Sequence, residues 1–312
     1  MKEKKLLFRL TDIFYIVMMI LPVFAGIMLK VMTDEPSDEI SITGAKIFFT
    51  IKMPLQNLTI SESQINSWLV IVTIFFLCLY LTHGISEKSR LKRHLIAEWI
   101  IEKTDSLVSE NMGEFFSGFS PFIAAVMALS AFSSLITLFG LYPPTSDINI
   151  VGGWAILVFI LITYYKMKCG FGHYLKSFAE PAVMTPMNVI SEVATPVSMS
   201  FRHYGNVLSG SVISVLVGYA LSKVSNAVFG RIPGFIGDIP FFRIGIPAVL
   251  SAYFDVFSSL LQAFIFAMLT MLYISGGFPE EDYFEKLRKK ELKKSKKQQK
   301  SAMPKKLNNG GN

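Results

Sequence analysis

The chain has 312 residues, 52% of them hydrophobic and only 17% charged, with a formal net charge of +7. Soluble domains carry roughly 25% charged residues, and here the charges are segregated, leaving uncharged runs long enough to cross a bilayer. That excludes a soluble enzyme, and the lack of alternating strand-length segments excludes an outer-membrane barrel. The fold class is an all-α polytopic membrane protein.

Met1-Lys-Glu-Lys-Lys5 precedes an apolar run over residues 13–32. The run is long for a signal sequence and lacks a small-x-small cleavage site, so it reads as a retained first helix. Residues 33–67 begin acidic, at Asp34, Glu35, Asp38 and Glu39, and read as an external loop with some interfacial structure. Trp68 to Thr82 is the second span, and Glu87–Arg93 a basic cytoplasmic turn. Between His94 and Met112, Leu95, Ile96, Trp99, Ile100 and Leu107 alternate at helical spacing with Glu98, Glu102, Lys103 and Asp105. That pattern predicts an amphipathic helix on the cytoplasmic surface.

Phe119–Leu141 is the third span, ending in a Pro-rich external loop up to Asn149, and Trp154–Tyr165 the fourth, stopped by Lys166 and Lys168. A long fifth helix runs from Met187 to Leu221 with Pro196 in its first third. The Gly/Pro-rich stretch Asn226–Arg243 is external, and Ile246–Ile274 is the last helix, antiparallel to the fifth and expected to be tilted with it. From Pro279 onward lie 11 of the 30 Lys and Arg. Such a run marks the cytoplasmic side of a last membrane helix rather than a nucleic-acid site, and its lysines suit anionic lipid. Six spans alternate without conflict if all the basic clusters share one side.

The chemistry concentrates around Arg202. A guanidinium keeps its proton at any accessible pH, and placing one at a membrane-helix centre costs about 2.5–3.5 kcal/mol on the mildest scale. At about 100° per residue, Ser198, Asn206 and Ser209 all fall within roughly 40° of Arg202. Gly205 and Gly210 flank this stripe and are expected to let another helix approach closely. Ser251, Asp255, Ser259 and Gln262 repeat the geometry on the last helix. A polar stripe around a fixed cation can bind an anion, hold an Arg202–Asp255 ion pair, or border a hydrated path for a mobile ion. His203 reads as a packing residue, and Glu192 and Glu180 as helix-end groups near the cytoplasmic entrance. Cys78 and Cys169 suggest neither a disulfide framework nor a metal site. No nucleotide loop, metal-ligand spacing or cofactor motif is present.

Arg202-His-Tyr-Gly-Asn206 resembles the Arg-x-Phe/Tyr-Gly-Asn core of subunit a of F-type ATP synthases. Further matches lie upstream, in Tyr174–Pro181, Met187–Glu192 and Pro196–Ser198, and downstream, in Leu260-Leu-Gln-Ala-Phe-Ile-Phe266 and Leu269–Tyr273. Asp147-Ile-Asn149 also fits. The resemblance covers about Met112 to Gly277, and the Trp68 span weakly. It divides the chain into residues 1–65, with a membrane helix and external loop, a subunit a core over 66–277, and a basic cytoplasmic tail over 278–312, expected to be disordered.

The resemblance implies a non-catalytic stator subunit in a bacterial plasma membrane. Its partners would be a rotor ring of c subunits, peripheral-stalk b subunits and membrane lipid, with no cofactor. Arg202 would meet each ring carboxylate and separate two half-channels carrying H⁺ or Na⁺, and lysine would replace it poorly. Asn206 and Gln262 carry over as polar neighbours, and Asp255 as a lining group of the external half-channel. Ser211 stands where the family often has an acid, a role that Asp255 would then supply. Ser198, Ser209, Ser211, Ser259 and Glu192 are candidate channel-lining residues. His203 replaces a common leucine and Val151 a common threonine. The competing readings are a stand-alone secondary transporter using the Arg202–Asp255 pair, and a membrane scaffold in which that pair is only structural.

Overall fold

A computed structural model describes residues 2–33, 44–54, 57–85, 91–172, 174–175, 184–229, 242, 245, 249–250 and 252–302. Among the described residues, six helices are long and apolar enough to span a bilayer. Helical backbone satisfies its own hydrogen bonds, a requirement in hydrocarbon. They comprise α1 (Lys2–Thr33), α2 (Glu62–Thr82), α4 (Ser120–Leu135, extended by 3₁₀ turns at Glu114–Phe119 and Ile136–Phe139), α5 (Ile148–Lys166), α6 (Thr185–Phe229) and α7 (Ser259–Gly276). The amphipathic segment is α3 (Lys92–Met112). Outside the spans, β1 (Ile47–Ile51) and β2 (Leu58–Ser61) pair antiparallel, a small ribbon within the predicted external loop.

The core lies where α3, α4, α5, α6 and α7 meet, around Val108, Ile123, Val158, Met199, Phe266 and Met271. Helix α7 is the most enclosed, with 44% of its apolar window buried against 11% for α1. Much of the remaining apolar surface faces outward, as lipid requires. Helix α1 packs along α2, and Gly26 makes room for Leu69, whose Cδ1 would lie 2.8 Å from an added Cβ.

Helix α6 has 45 residues, about 68 Å at 1.5 Å per residue and more than twice the hydrocarbon thickness. It must therefore run obliquely or extend beyond the apolar layer. Before α7, residues Ala252–Ser258 form a π-helical turn, a rare geometry that concentrates at functional sites. Ser259 Oγ donates to Phe254 O five residues back, at 3.1 Å, matching this wider turn.

Two expectations change. The tail is helical over Glu280–Ala302 (α8), where composition predicted disorder. Glu280, Glu281 and Asp282 suit the positive end of the helix dipole, and Glu285 pairs with Lys289 at i,i+4. Residues 303–312 lie outside the described residues. Helix α3 forms where the amphipathic surface helix is expected: it packs on the bundle through Ala97, Thr104, Val108 and Met112 and leaves Leu95, Ile96, Trp99 and Ile100 exposed. Finally, an added Cβ at Gly205 would meet nothing within 4 Å, while at Gly210 it would lie 3.0 Å from Phe254 Cβ, so only Gly210 provides the expected close approach.

Candidate functional site

Helix α6 positions the stripe. Ser198, Arg202 and Ser209 are exposed on its outer side. Arg202 forms no hydrogen bond or ion pair among the described residues, with Asp255 or any other group. The Arg202–Asp255 bridge is thus not formed. Asn206, some 40° round the helix, turns toward the π-helical turn and exchanges two hydrogen bonds with Ser258, at 2.9 and 3.1 Å. Asp255 is half-buried in that turn, and Ser259 and Gln262 are buried on the inner face of α7. Ser211 is exposed and donates back to Leu208 O, about 180° from Arg202, so it does not join the stripe. Ser251 lies outside the described residues.

Two polar cavities lie toward opposite ends of the fold. One, of about 250 Å³, is bordered by Lys166, Ser191, Glu192, Thr195 and Tyr273. Glu192 Oε2 accepts from Lys166 Nζ at 2.6 Å. Glu192 sits inside α6 rather than at its end, so the expected capping role gives way to an ion pair. Glu180 lies outside the described residues. Nearby, burial and the Glu192 charge raise the pKa of the Tyr174 phenol.

The other, an open vestibule of about 670 Å³, is bordered by the ribbon and by Tyr142, Ser146, Asp147, Asn149 and Tyr204. Asp147 caps α5, accepting from Asn149 N at 3.0 Å, and also accepts from Ser63. Asn66 donates to Tyr142 O at 2.8 Å. Burial, then the Asp147 charge, pushes the Tyr142 phenol above its ordinary range.

Ser258 and Lys166 were not among the sequence candidates. The signal for Lys166 was its place at the inner end of a span, but nothing local identified its partner. Ser258 depends on the wide turn, which shifts residues relative to regular α-helical spacing.

A long helix whose arginine has no partner among the described residues, packed in a multi-pass helical bundle, defines a polytopic membrane subunit. The profile of the family described as ATP synthase A chain matches residues 64–275. The chain is 32% identical to ATP synthase subunit a of Desulforamulus reducens, over 71% of this chain and 81% of the relative. It is 29% identical to that of Priestia megaterium (71% and 94%) and 25% identical to that of Legionella pneumophila (70% and 87%). The chain belongs to the ATP synthase subunit a family, whose members are non-catalytic membrane-sector subunits. Helix α1 and the tail helix α8 lie outside the matched region.

Proposed function

We propose that this chain translocates H⁺ or Na⁺ as the stator of a rotary ATP synthase, with Arg202 facing the membrane-embedded carboxylates of a c-subunit ring. The observation that carries this reading is the position of Arg202: a permanent cation on the outer face of a membrane helix, without a partner among the described residues. Lipid alone would be a costly surrounding for it. A passing carboxylate is a suitable partner, and the arginine favours its ionised form, prompting ion release.

The two polar cavities serve as half-channels in this reading. Glu192 precedes Arg202 by ten residues, or about 15 Å along the helix, whereas Tyr204 brings the vestibule close beyond it. An ion entering one cavity must ride the ring to reach the other. Asn206, Asp255 and Gln262 line the outer side, with Asp255 supplying the acid absent at Ser211. Ser198, Ser209 and Ser259 complete the polar border. Basic residues gather at one end: Arg93 near α1, and Lys168 within 4.7–5.8 Å of the rings of Phe115, Tyr164, Tyr165 and Tyr283. That supports a cytoplasmic C-terminus in a bacterial plasma membrane, with the tail lysines near anionic lipid. Peripheral-stalk b subunits complete the stator.

Reconstitution tests this against an independent transporter. The purified chain alone in liposomes should conduct no ion, and conduction should appear when ring subunits are added. Substrate or ion flux from the chain alone would overturn the proposal.

A further inference from the structure

Helix α4 carries Ser130, Ser133 and Ser134 at helical spacing, and all three are at most 1% exposed. Serines in a membrane helix often serve only to let helices pack closely. Here two observations go beyond packing. His203, also fully buried, approaches Ser130 Oγ with its Nε2 at 3.3 Å, while its Nδ1 has no hydrogen-bond partner among the described residues. Ser133 Oγ likewise has none. Buried polar atoms without protein partners are where ordered water is expected.

The serines also lead outward. Ser134 Oγ lies 3.1 Å from Thr145 Oγ1, and the next residue, Ser146, borders the external vestibule. Ser130 and Ser134 are separated by about 6 Å along the helix. The inner end meets His203, which directly follows Arg202 and packs between Trp154 and Phe266, with ring centroids at 6.0 and 5.7 Å.

We propose that Thr145, Ser134, Ser133 and Ser130 form a hydrated track from the vestibule into the helix bundle, and that His203 closes its inner end as an ion-path residue. The proposal rests on the ion-translocating reading above. Water held along the track links the external cavity with the level of Arg202. The imidazole gives that water a polar terminus where an aliphatic side chain would leave a dry contact.

The test uses the assembled synthase in membranes, with Cys78 and Cys169 replaced by serine, and silver ion as the thiol probe. Ser133→Cys should make ion pumping sensitive to silver, with inhibition about tenfold faster than for Ile123→Cys, a buried apolar position on the same helix, because thiol reaction requires access. Equal, slow inhibition of both would overturn the track. His203→Leu should slow passive ion conduction several-fold at normal complex levels, with partial recovery in His203→Gln. Unchanged conduction in His203→Leu would remove His203 from the path. Where His203→Leu lowers the amount of complex, the silver result decides. If the track fails while Arg202→Ala still abolishes coupling, the ion-translocating reading stands without it. If Arg202→Ala couples normally, that reading itself fails.

Discussion

Asn206 and Ser258 are tied by two reciprocal hydrogen bonds: Asn206 Nδ2 donates to Ser258 Oγ at 2.9 Å, and Ser258 Oγ donates to Asn206 Oδ1 at 3.1 Å. The pair joins α6 to the π-helical turn one helical turn from Arg202. It therefore sets how the arginine-bearing surface sits against the last membrane helix. Each bond contributes about 0.5–1.5 kcal/mol, and an unsatisfied amide costs more than a clean deletion. A double-mutant cycle with Asn206→Ala and Ser258→Ala should give a coupling of about 1–2 kcal/mol in thermal stability of the complex. Strict additivity would show that the two side chains do not interact.

The Lys166–Glu192 pair is partly buried, with side chains 27% and 14% exposed. Removing one partner leaves the other charge uncompensated. Either Lys166→Met or Glu192→Gln alone should lower complex stability by about 1–2 kcal/mol after allowing for solvent screening. The double variant should recover most of that loss, yet still conduct ions slowly from the cytoplasmic side. Full conduction in the double variant would show that neither charge serves the inner cavity.

In the N-terminal half of α1, Asp12 accepts from Arg93 at 2.7 Å; Arg93 also donates to His83 O at 2.8 Å, and its guanidinium lies 5.3 Å from the Phe8 ring and 4.9 Å from that of Tyr80. His83 Nδ1 is 2.9 Å from the same Asp12 oxygen. Lysine cannot reproduce the planar fork or the ring contacts. Arg93→Lys should therefore weaken docking of α1 on α2 by about 2 kcal/mol. Cysteines at Met19 and Thr73, which touch in the fold, should then cross-link more slowly. An unchanged cross-linking rate would contradict this clamp.

Gly210 and Gly205 should respond differently. A side chain at Gly210 meets Phe254, so Gly210→Val should overpack the α6 contact and cost about 1–3 kcal/mol of complex stability. Gly205→Ala meets nothing within 4 Å and should be neutral or stabilising by up to about 1 kcal/mol, through higher helix propensity. The comparison is read from complex yield and thermal stability. Equal damage at both positions would refute the packing at Gly210.

Much of this architecture was legible in the sequence because lipid imposes simple rules. Uncharged runs become helices, basic clusters gather at one end, and helical spacing alone puts Ser198, Arg202 and Ser209 on one face. What remained hidden depends on long-range partners or unusual backbone. Asp12 had no local reason to seek Arg93. The π-helical turn shifts Ser258 toward Asn206 in a way that regular spacing does not anticipate. The serines of α4 carried no local signal, because the partners of Ser130 and Ser134, His203 and Thr145, lie elsewhere in the chain. The tail was misjudged because low hydrophobicity hid a favourable run of helix formers and a Glu285–Lys289 pair.

The most direct test of the central claim is ion-driven ATP synthesis in membranes carrying wild type, Arg202→Ala or Arg202→Lys, with complex levels verified as equal. Synthesis should be lost in Arg202→Ala and severely reduced in Arg202→Lys, because an ammonium can shed its proton when desolvated and lacks the planar fork. Normal synthesis from both variants, with the complex intact, would reduce Arg202 to a structural charge and contradict the account.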